Sequence, residues 1–198
     1  MNTTVITKTY DEPPFCIAEI LRYSGCKNQA DDVTNLLNIC VDEVHDVLSY
    51  KVCYRRLSVR TCDSLCDFDY FTLQSEHLAK LLRNCDSAII FGATIGIGID
   101  RLIAKHGRIS PAKALMIQAI GAERIEALCD AFENDIKKEI NAEFTPRFSP
   151  GYGDLPLNVQ KNIFSILDCS KKIGLTLNDS MLMSPSKSVT AFIGLKNK

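Results

Sequence analysis

Residues 110–143 predict one helix that is long for a chain of 198 residues. Ser110 followed by Pro111 is a typical helix start, because a hydroxyl suits the N-cap and proline suits the first helical position. At about 100° per residue, one side of this helix is almost entirely apolar or small. That side consists of Leu115, Ala119, Ala122, Ile125, Cys129, Phe132, Ile136 and Ile140. A stripe of this length has to be buried, so the rest of the chain must supply a surface that covers it.

Glu126 lies within the same apolar arc. None of the residues three or four positions away from it on the helix carries a positive charge, so the helix itself offers no ion-pair partner. A carboxylate on a buried stripe needs a partner from another segment, or its protonation shifts. The alternative is that Glu126 lies at the edge of the stripe and is solvated.

The remaining patterns predict helices and a few strands without regular alternation. After an extended segment at residues 1–14, helices are expected at 15–24, 31–50, 75–84, near 98–106, at 158–168 and just before Gly174. Strands are expected at 52–59, 67–73, 86–94, 175–177 and 188–194. Such a mixture is typical of an α+β fold.

Residues 92–98 form a glycine-rich turn between a predicted strand and a helix. Their spacing does not fit the G-x-G-x-x-G pattern, and no βαβ repeat follows. We therefore reject a dinucleotide-binding interpretation. The glycines instead predict close backbone packing, or the approach of a ligand, at the end of the strand.

The overall composition excludes several classes of function. A formal net charge of −1, with no basic stripe, argues against a nucleic-acid partner. No apolar run reaches membrane-spanning length, and residues 1–12 are too polar for a signal peptide. We expect a cytoplasmic protein that has no membrane partner.

The nine cysteines predict reduced thiols that pack in the core. Their number is odd and no C-x-x-C occurs. Cys62 and Cys66 are the only close pair, and a zinc site there would need two more ligands, which the scattered histidines do not supply. No metal is therefore expected.

Residues 145–156 contain a tight turn flanked by a cation and an aromatic ring. Pro150-Gly151 favours a type II turn, with Arg147 before it and Tyr152 after it. A guanidinium binds a carboxylate or phosphate, and a tyrosine ring packs on a purine or a cation. Together with Glu126, this loop suits S-adenosylmethionine, although an ordinary surface loop with an Arg147–Glu126 ion pair needs no ligand.

The segment Arg147-Phe-Ser-Pro-Gly151-Tyr152, with Pro156 beyond it, resembles the R-P-x-P-G-Y signature of the activation domain of cobalamin-dependent methionine synthase. Four further segments follow the pattern of that domain, and the resemblance covers about residues 86–195. They are the T-x-G-x-G-x-D motif at 94–100, the helix at 163–167, the K-x-x-G-x-x-L motif at 171–177 and the S-x-x-M-x-P-x-x-S-V motif at 180–189.

This resemblance implies a twisted, mainly antiparallel sheet flanked by helices that include the long one. It also implies two portions of one domain. Residues 1–85 form an N-terminal portion, similar to that of shorter free-standing relatives, and residues 86–198 form an activation-domain-like core with the S-adenosylmethionine site.

The resemblance also implies roles for individual residues. Arg147 is similar to the family arginine that holds the ligand, and Glu126 falls on a family glutamate at the same site. Ser149, Gly151 and Tyr152 match the loop contacts. The family also uses an N-terminal aspartate, for which Asp11 is a weak candidate, and a later tyrosine that has no counterpart in these residues.

In the family, inactive cob(II)alamin is reduced by an outside donor and remethylated from S-adenosylmethionine. The resemblance therefore implies a protein that positions a methyl donor and supplies no catalytic residue of its own. Because the 198 residues contain no D-x-H-x-x-G cobalamin signature, we expect it to act on a separate cobalamin-bearing methionine synthase, with an electron donor such as flavodoxin. The alternatives are an activator of another corrinoid methyltransferase and a non-catalytic ligand-sensing module with a degenerate site.

Overall fold

In the residues that the structure describes, 4–26 and 30–196, seven strands form one antiparallel sheet. The structure is a computed structural model. The strands are β1 (Ile6–Thr9), β2 (Lys51–Cys62), β3 (Leu65–Phe68), β4 (Phe71–Gln74), β5 (Ser87–Thr94), β6 (Glu143–Phe144) and β9 (Ser188–Lys196), while β7 (Thr176–Leu177) and β8 (Met183–Ser184) form a separate pair. The strand order is β4-β3-β2-β5-β9-β6, and β1 pairs with Lys51–Tyr54 at the start of β2, on the side away from β5.

Helices cover both faces of this sheet. They are α1 (Ile17–Ser24), α2 (Asp31–His45), α3 (Glu76–Leu82), α4 (Gly98–His106), α5 (Pro111–Glu139), α6 (Gln160–Leu167) and α7 (Cys169–Ile173), with a 3-10 turn at Leu157–Val159. One hydrophobic cluster joins the sheet to α1, α2, α4 and α5, and the other joins it to α3, α6 and α7.

The central strand β5 explains this two-layer arrangement. All eight of its residues are buried, as the continuous apolar run predicts. Ile89, Phe91 and Ala93 point into the cluster around α5, whereas Ala88 and Ile90 point into the opposite cluster. Since successive strand side chains face opposite sides, a strand that is apolar at every position needs cover on both faces.

The long helix α5 is 29 residues long and begins at Pro111, as predicted. Ile125, Cys129, Phe132 and Ile136 are buried, so the predicted stripe does face the core. Leu115 is 55% exposed, so its predicted burial is wrong. The helix is covered on more than the stripe, because α1 packs along a second face of it.

Two element boundaries differ from the sequence predictions. The helix at 31–50 ends at His45, because the chain leaves it to reach the start of β2 at Lys51. The single strand at 67–73 is a hairpin, β3 and β4, in which Phe68 and Phe71 stack with ring centroids 4.9 Å apart. The apolar pattern continues through this turn, so the sequence alone showed no break.

The glycines between β5 and α4 pack closely against the loop after α2. A Cβ on Gly98 would lie 2.2 Å from the carbonyl oxygen of Val47, and Gly96 has a φ of +83° beside Ser49. The interpretation of this turn as a close-packing element is therefore confirmed. None of the helices in the described residues is both long and apolar enough to cross a bilayer.

A buried ion pair on α5 fixes the N-terminal segment. Arg124 is fully buried and donates to both carboxylate oxygens of Glu123, which is 3% exposed. The same guanidinium donates to the carbonyl oxygens of Pro13 and Pro14, and Glu123 accepts from the backbone of Cys16. The segment before α1 is thus held by charge-assisted hydrogen bonds.

The substitution Arg124→Leu should lower the free energy of unfolding by about 3–5 kcal/mol, because it leaves the Glu123 carboxylate buried without its cation. Urea denaturation measures this loss. Arg22→Leu is the control, since Arg22 pairs with Glu19 on the surface and an exposed pair contributes little. Equal losses in the two variants would contradict the structural role of Arg124.

Glu43 on α2 should give the fold a pH dependence. Hydrogen bonds from Lys113 at 2.6 Å and from His106 at 2.7 Å, with a further one from Lys105, lower the pKa of Glu43 to about 2 from 4.5. A carboxyl whose folded pKa is depressed stabilises the fold above its unfolded pKa. That stability is lost as the pH falls from about 4.5 to about 2.

We expect Glu43→Gln to be less stable than the wild type by about 1 kcal/mol at pH 7, since solvent screens this cluster. The difference in unfolding free energy should shrink steadily between pH 4.5 and pH 2. A difference that stays constant over this range would show that the cluster does not carry the effect.

Candidate functional site

A groove of about 440 Å³ lies between the loop at 145–156, helix α5 and the start of β9. Its size falls in the range of small-molecule sites, roughly 300–1,000 Å³. It is lined by Glu126, Arg147, Phe148, Ser149, Pro150, Tyr152, Gln160, Met183, Ser188, Val189 and Thr190. Four of the five residues predicted to form the site therefore line one groove, and Gly151 shapes its loop.

The loop begins as an edge strand on β9 and then turns away from it. Phe148 exchanges two backbone hydrogen bonds of 2.9 Å with Phe192. Pro150 has no N–H to continue the ladder, and the chain turns at Gly151, which has a φ of +93°. The N–H of Gly151 donates to the carbonyl of Leu155, which closes the turn.

Asp154 fastens the far end of this loop to the start of α3. Its carboxylate accepts from the Ser75 hydroxyl and from the backbone N–H of Glu76, each at 2.5 Å, and from the N–H of His77 at 3.3 Å. The hydrogen bond from Ser75 contributes most to the lowered pKa of Asp154. Because Ser75 also caps α3, as predicted, the loop and the helix start share one hydrogen-bond network.

Arg147 reaches from the loop to helix α5, where it meets three carboxylates. Its Nη1 donates to Asp130 at 2.7 Å and to Glu133 at 2.5 Å, and its Nη2 donates to Glu126 at 2.6 Å. We call these four residues the Arg147 cluster. Burial by itself would lower the pKa of Arg147, but the hydrogen bonds to Glu133, Asp130 and Glu126 leave that pKa raised.

Glu126 pairs with Arg147, so its ion-pair partner comes from another segment, as the lack of a cation on the helix requires. Its side chain is 43% exposed. The prediction that this carboxylate is buried and poorly solvated is therefore wrong. Glu126 instead lies at the solvated edge of the apolar stripe, which was the alternative. The charges that are buried on α5 are Glu123 and Arg124. The apolar periodicity of the sequence did not indicate that these two residues are buried, because it identifies only one of the covered faces of the helix.

The other predicted residues occupy different positions. Tyr152 lines the groove and is 68% exposed, so its ring is accessible to a ligand. Gly151 does not line the groove and serves the turn. Asp11 is exposed in the segment after β1 and does not line the groove.

Sequence reasoning missed several groove residues. Gln160 and Thr190 line the wall and are 5% and 2% exposed. Asp130 and Glu133 were missed as well; they complete the Arg147 cluster but do not line this groove. The helical spacing of Glu126, Asp130 and Glu133 is a signal that could have indicated a shared acidic face.

A second hollow of about 560 Å³ adjoins the groove and shares Glu126 and Arg147 with it. Pro13, Pro14 and Tyr23 of the N-terminal portion line its other side. The Arg147 cluster therefore stands between two cavities, and the N-terminal portion contributes to the surroundings of the site.

Comparisons with known proteins agree with this architecture. A family model described as "Vitamin B12 dependent methionine synthase, activation domain" matches residues 63–198. A solved structure described as the crystal structure of the MetH reactivation domain bound to AdoHcy is similar with a TM-score of 0.70, at 14% sequence identity, over 96% of this chain and 78% of that one. At this identity the likeness shows the fold, and the predicted antiparallel α+β fold is confirmed. A search of curated proteins finds no match.

The substitution Asp154→Ala should loosen the loop. The amides of Glu76 and His77 lose their acceptor, so we expect them to exchange with solvent roughly tenfold faster, and the amide of Tyr152 to lose protection as well. Hydrogen exchange followed by NMR measures both. Asp69→Ala is the control, because Asp69 accepts from the Ser58 backbone away from the groove; faster exchange at Tyr152 in that variant would contradict the role of Asp154.

Proposed function

The chain belongs to the family of vitamin B12-dependent methionine synthase activation domains, and on this premise we propose that its groove binds S-adenosylmethionine. The observation that supports this most strongly is the Arg147 cluster, of which Arg147 and Glu126 line the groove. The ligand carries a carboxylate, an ammonium and a sulfonium. A guanidinium surrounded by carboxylates offers a complementary charge to each of these groups.

The exposures within the cluster suggest how a ligand carboxylate reaches Arg147. Asp130 is 63% exposed, whereas Glu133 is 13% exposed. An exposed ion pair contributes little to stability, so the Asp130 contact is the one that is replaced at least cost. Glu126, which lines the groove, then faces the positive groups of the ligand.

The loop, together with Met183 of β8, supplies the apolar part of the site. Phe148, Pro150, Tyr152 and Met183 line the groove beside the charged cluster. An aromatic ring that is open on one face can pack against a purine or a sulfonium. The groove thus combines a charged end with an apolar wall, as nucleoside ligands with an amino-acid tail require.

The role of this chain is then to hold the methyl donor in a defined orientation. No side chain of the Arg147 cluster acts as a nucleophile, and the rate gain comes from positioning the sulfonium methyl group. The methyl group would pass to the reduced cobalt of a cobalamin carried by a partner. We propose that this partner is a separate methionine synthase, reduced by a donor such as flavodoxin.

The same proposal places the chain in the cytoplasm, where nine unpaired thiols stay reduced. A second candidate function is a ligand-sensing module without catalytic output. The observation in its favour is that Arg147 already has three carboxylate partners within the chain. Ligand binding without stimulation of cob(II)alamin remethylation, when the partner and reductant are supplied, would support this second function.

Calorimetric titration with S-adenosylmethionine tests the binding step. We expect Arg147→Ala to weaken binding roughly 30-fold or more, because a charge-assisted contact to the ligand carboxylate is lost. Lys8→Ala is a matched control, since Lys8 bridges Asp135 and Glu139 on the same helix outside the groove. No binding by the wild type, or equal losses in the two variants, would refute the proposal.

A further inference from the structure

Two buried cysteines contact each other on the face of the sheet that α3, α6 and α7 cover. Cys53 lies on β2 and Cys169 begins α7, so the two residues are 116 positions apart in the chain. Both are fully buried, and their Sγ atoms are 3.8 Å apart. Neither residue lines the groove of the 145–156 loop. This contact is therefore separate from the site on which the proposed function depends.

The central strand has no side chain at the point where the two thiols meet. Gly92 is the one glycine of β5, and alternation along the strand directs its position to the same face as Ala88 and Ile90. A Cβ atom on Gly92 would lie 3.2 Å from the Sγ atom of Cys169 and 3.7 Å from that of Cys53. The missing side chain leaves space beside both sulfur atoms, in which either of them can move.

The separation of the two sulfur atoms brings a disulfide within reach. The S–S bond of a disulfide is about 2.05 Å long, so the Sγ atoms of Cys53 and Cys169 need to approach by roughly 1.8 Å. A change of rotamer at one cysteine moves its sulfur by more than this distance. The bond can therefore form by side-chain rotation into the space beside Gly92.

Helix α7 provides a route by which an oxidant reaches the buried pair. The helix is five residues long, and its first and last residues are buried whereas residues 170–172 are exposed. It lies between two residues in the left-handed region, Asp168 with a φ of 49° and Gly174 with a φ of 71°. A short segment with so few buried contacts opens more readily than a core strand. Such opening exposes Cys169 and removes part of the cover over Cys53.

The surroundings make the two thiols unequal. The contact with Cys169 lowers the pKa of Cys53, and the charge of Lys172 acts in the same direction. The same contact and burial raise the pKa of Cys169. Since the thiolate is the reactive form of cysteine, Cys53 is the thiol of the pair that reacts first and Cys169 is the one that resolves the product.

We propose that Cys53 and Cys169 are an oxidative modification site, at which a peroxide converts the two thiols into a disulfide that fastens α7 to the sheet. This inference goes beyond the proposed function, because it needs neither the groove nor its ligand. The nine thiols are reduced in the structure, and the disulfide is the form that the pair takes under oxidising conditions.

The reaction balances with a peroxide as the oxidant. The Cys53 thiolate attacks one oxygen of hydrogen peroxide, the O–O bond breaks, and the products are a sulfenic acid and one water. The Cys169 thiol then attacks the sulfur of the sulfenic acid. The S–S bond forms, the S–O bond breaks, and the hydroxyl leaves with the thiol proton as a second water. Two thiols thus give up two electrons, and a dithiol reductant reverses the change by exchange.

The disulfide should stabilise the fold, because it closes a long loop in the unfolded chain. The loop spans the 116 positions between the two cysteines. It also joins β2 to the segment that leads through α7 into β7 and β8. We expect the oxidised protein to unfold at a Tm about 5–10 °C higher than the reduced protein, and dithiothreitol should restore the lower Tm.

Peptide mapping of the wild type tests the site directly. The protein is treated with one equivalent of hydrogen peroxide, unfolded without reductant, alkylated with iodoacetamide and digested. We expect mass spectrometry to find the peptides of Cys53 and Cys169 linked to each other, with both residues protected from alkylation. Thermal unfolding of the same oxidised sample, with and without dithiothreitol, measures the shift in Tm.

A pair of variants provides the matched control. Cys169→Ala should abolish both the linked peptides and the rise in Tm on oxidation. Cys85→Ala should retain both, because Cys85 is a buried cysteine outside the pair. The wild-type peptide map decides the linkage even if one variant does not fold.

Three results would overturn the proposal. They are full alkylation of Cys53 and Cys169 after peroxide treatment, linkage of either cysteine to other thiols alone, and an equal rise in Tm for Cys169→Ala and the wild type. The first of these would show that the two thiols serve only as small apolar side chains in the core. None of the three bears on the binding of S-adenosylmethionine, so failure of this proposal and failure of the proposed function are distinguishable.

Discussion

The ion pairs of Arg147 link the parts of the molecule on which the site depends. The arginine belongs to the loop that leaves β9, whereas its three carboxylate partners lie on successive turns of α5. Helix α5 in turn is held against the sheet by its apolar stripe and against the N-terminal segment by the buried Glu123–Arg124 pair. The position of one guanidinium thus depends on the core, the N-terminal portion and the loop together.

A second constraint comes from a residue that lacks a hydrogen-bond donor. Pro150 ends the edge strand after Phe148 and leaves the polar groups of Thr190 unpaired beside the groove. Asp154 then holds the departing loop on α3, so the opening between loop and strand is maintained by specific hydrogen bonds. The groove therefore combines the charges of Arg147 and Glu126 with unpaired neutral groups of Gln160 and Thr190.

Much of the fold could be predicted from the sequence, because β5 and α5 have strong and continuous apolar patterns. The part of the groove that Arg147, Ser149 and Tyr152 form could also be predicted. The turn residues, the cation and the aromatic ring of this part are adjacent in the chain. The wall formed by Gln160 and Thr190 could not, because these residues are distant in sequence and an unpaired strand edge depends on the sheet register. The burial of Glu123 and Arg124 was missed for a similar reason, since helical periodicity does not show which second face another helix covers.

A crystal structure of this chain with S-adenosylhomocysteine tests the central claim most directly. The account predicts the ligand in the groove of the 145–156 loop, with its carboxylate on Arg147 and Asp130 released from the guanidinium. A ligand bound elsewhere on the chain, or no ligand at saturating concentration while Arg147 keeps all three carboxylate contacts, would contradict it.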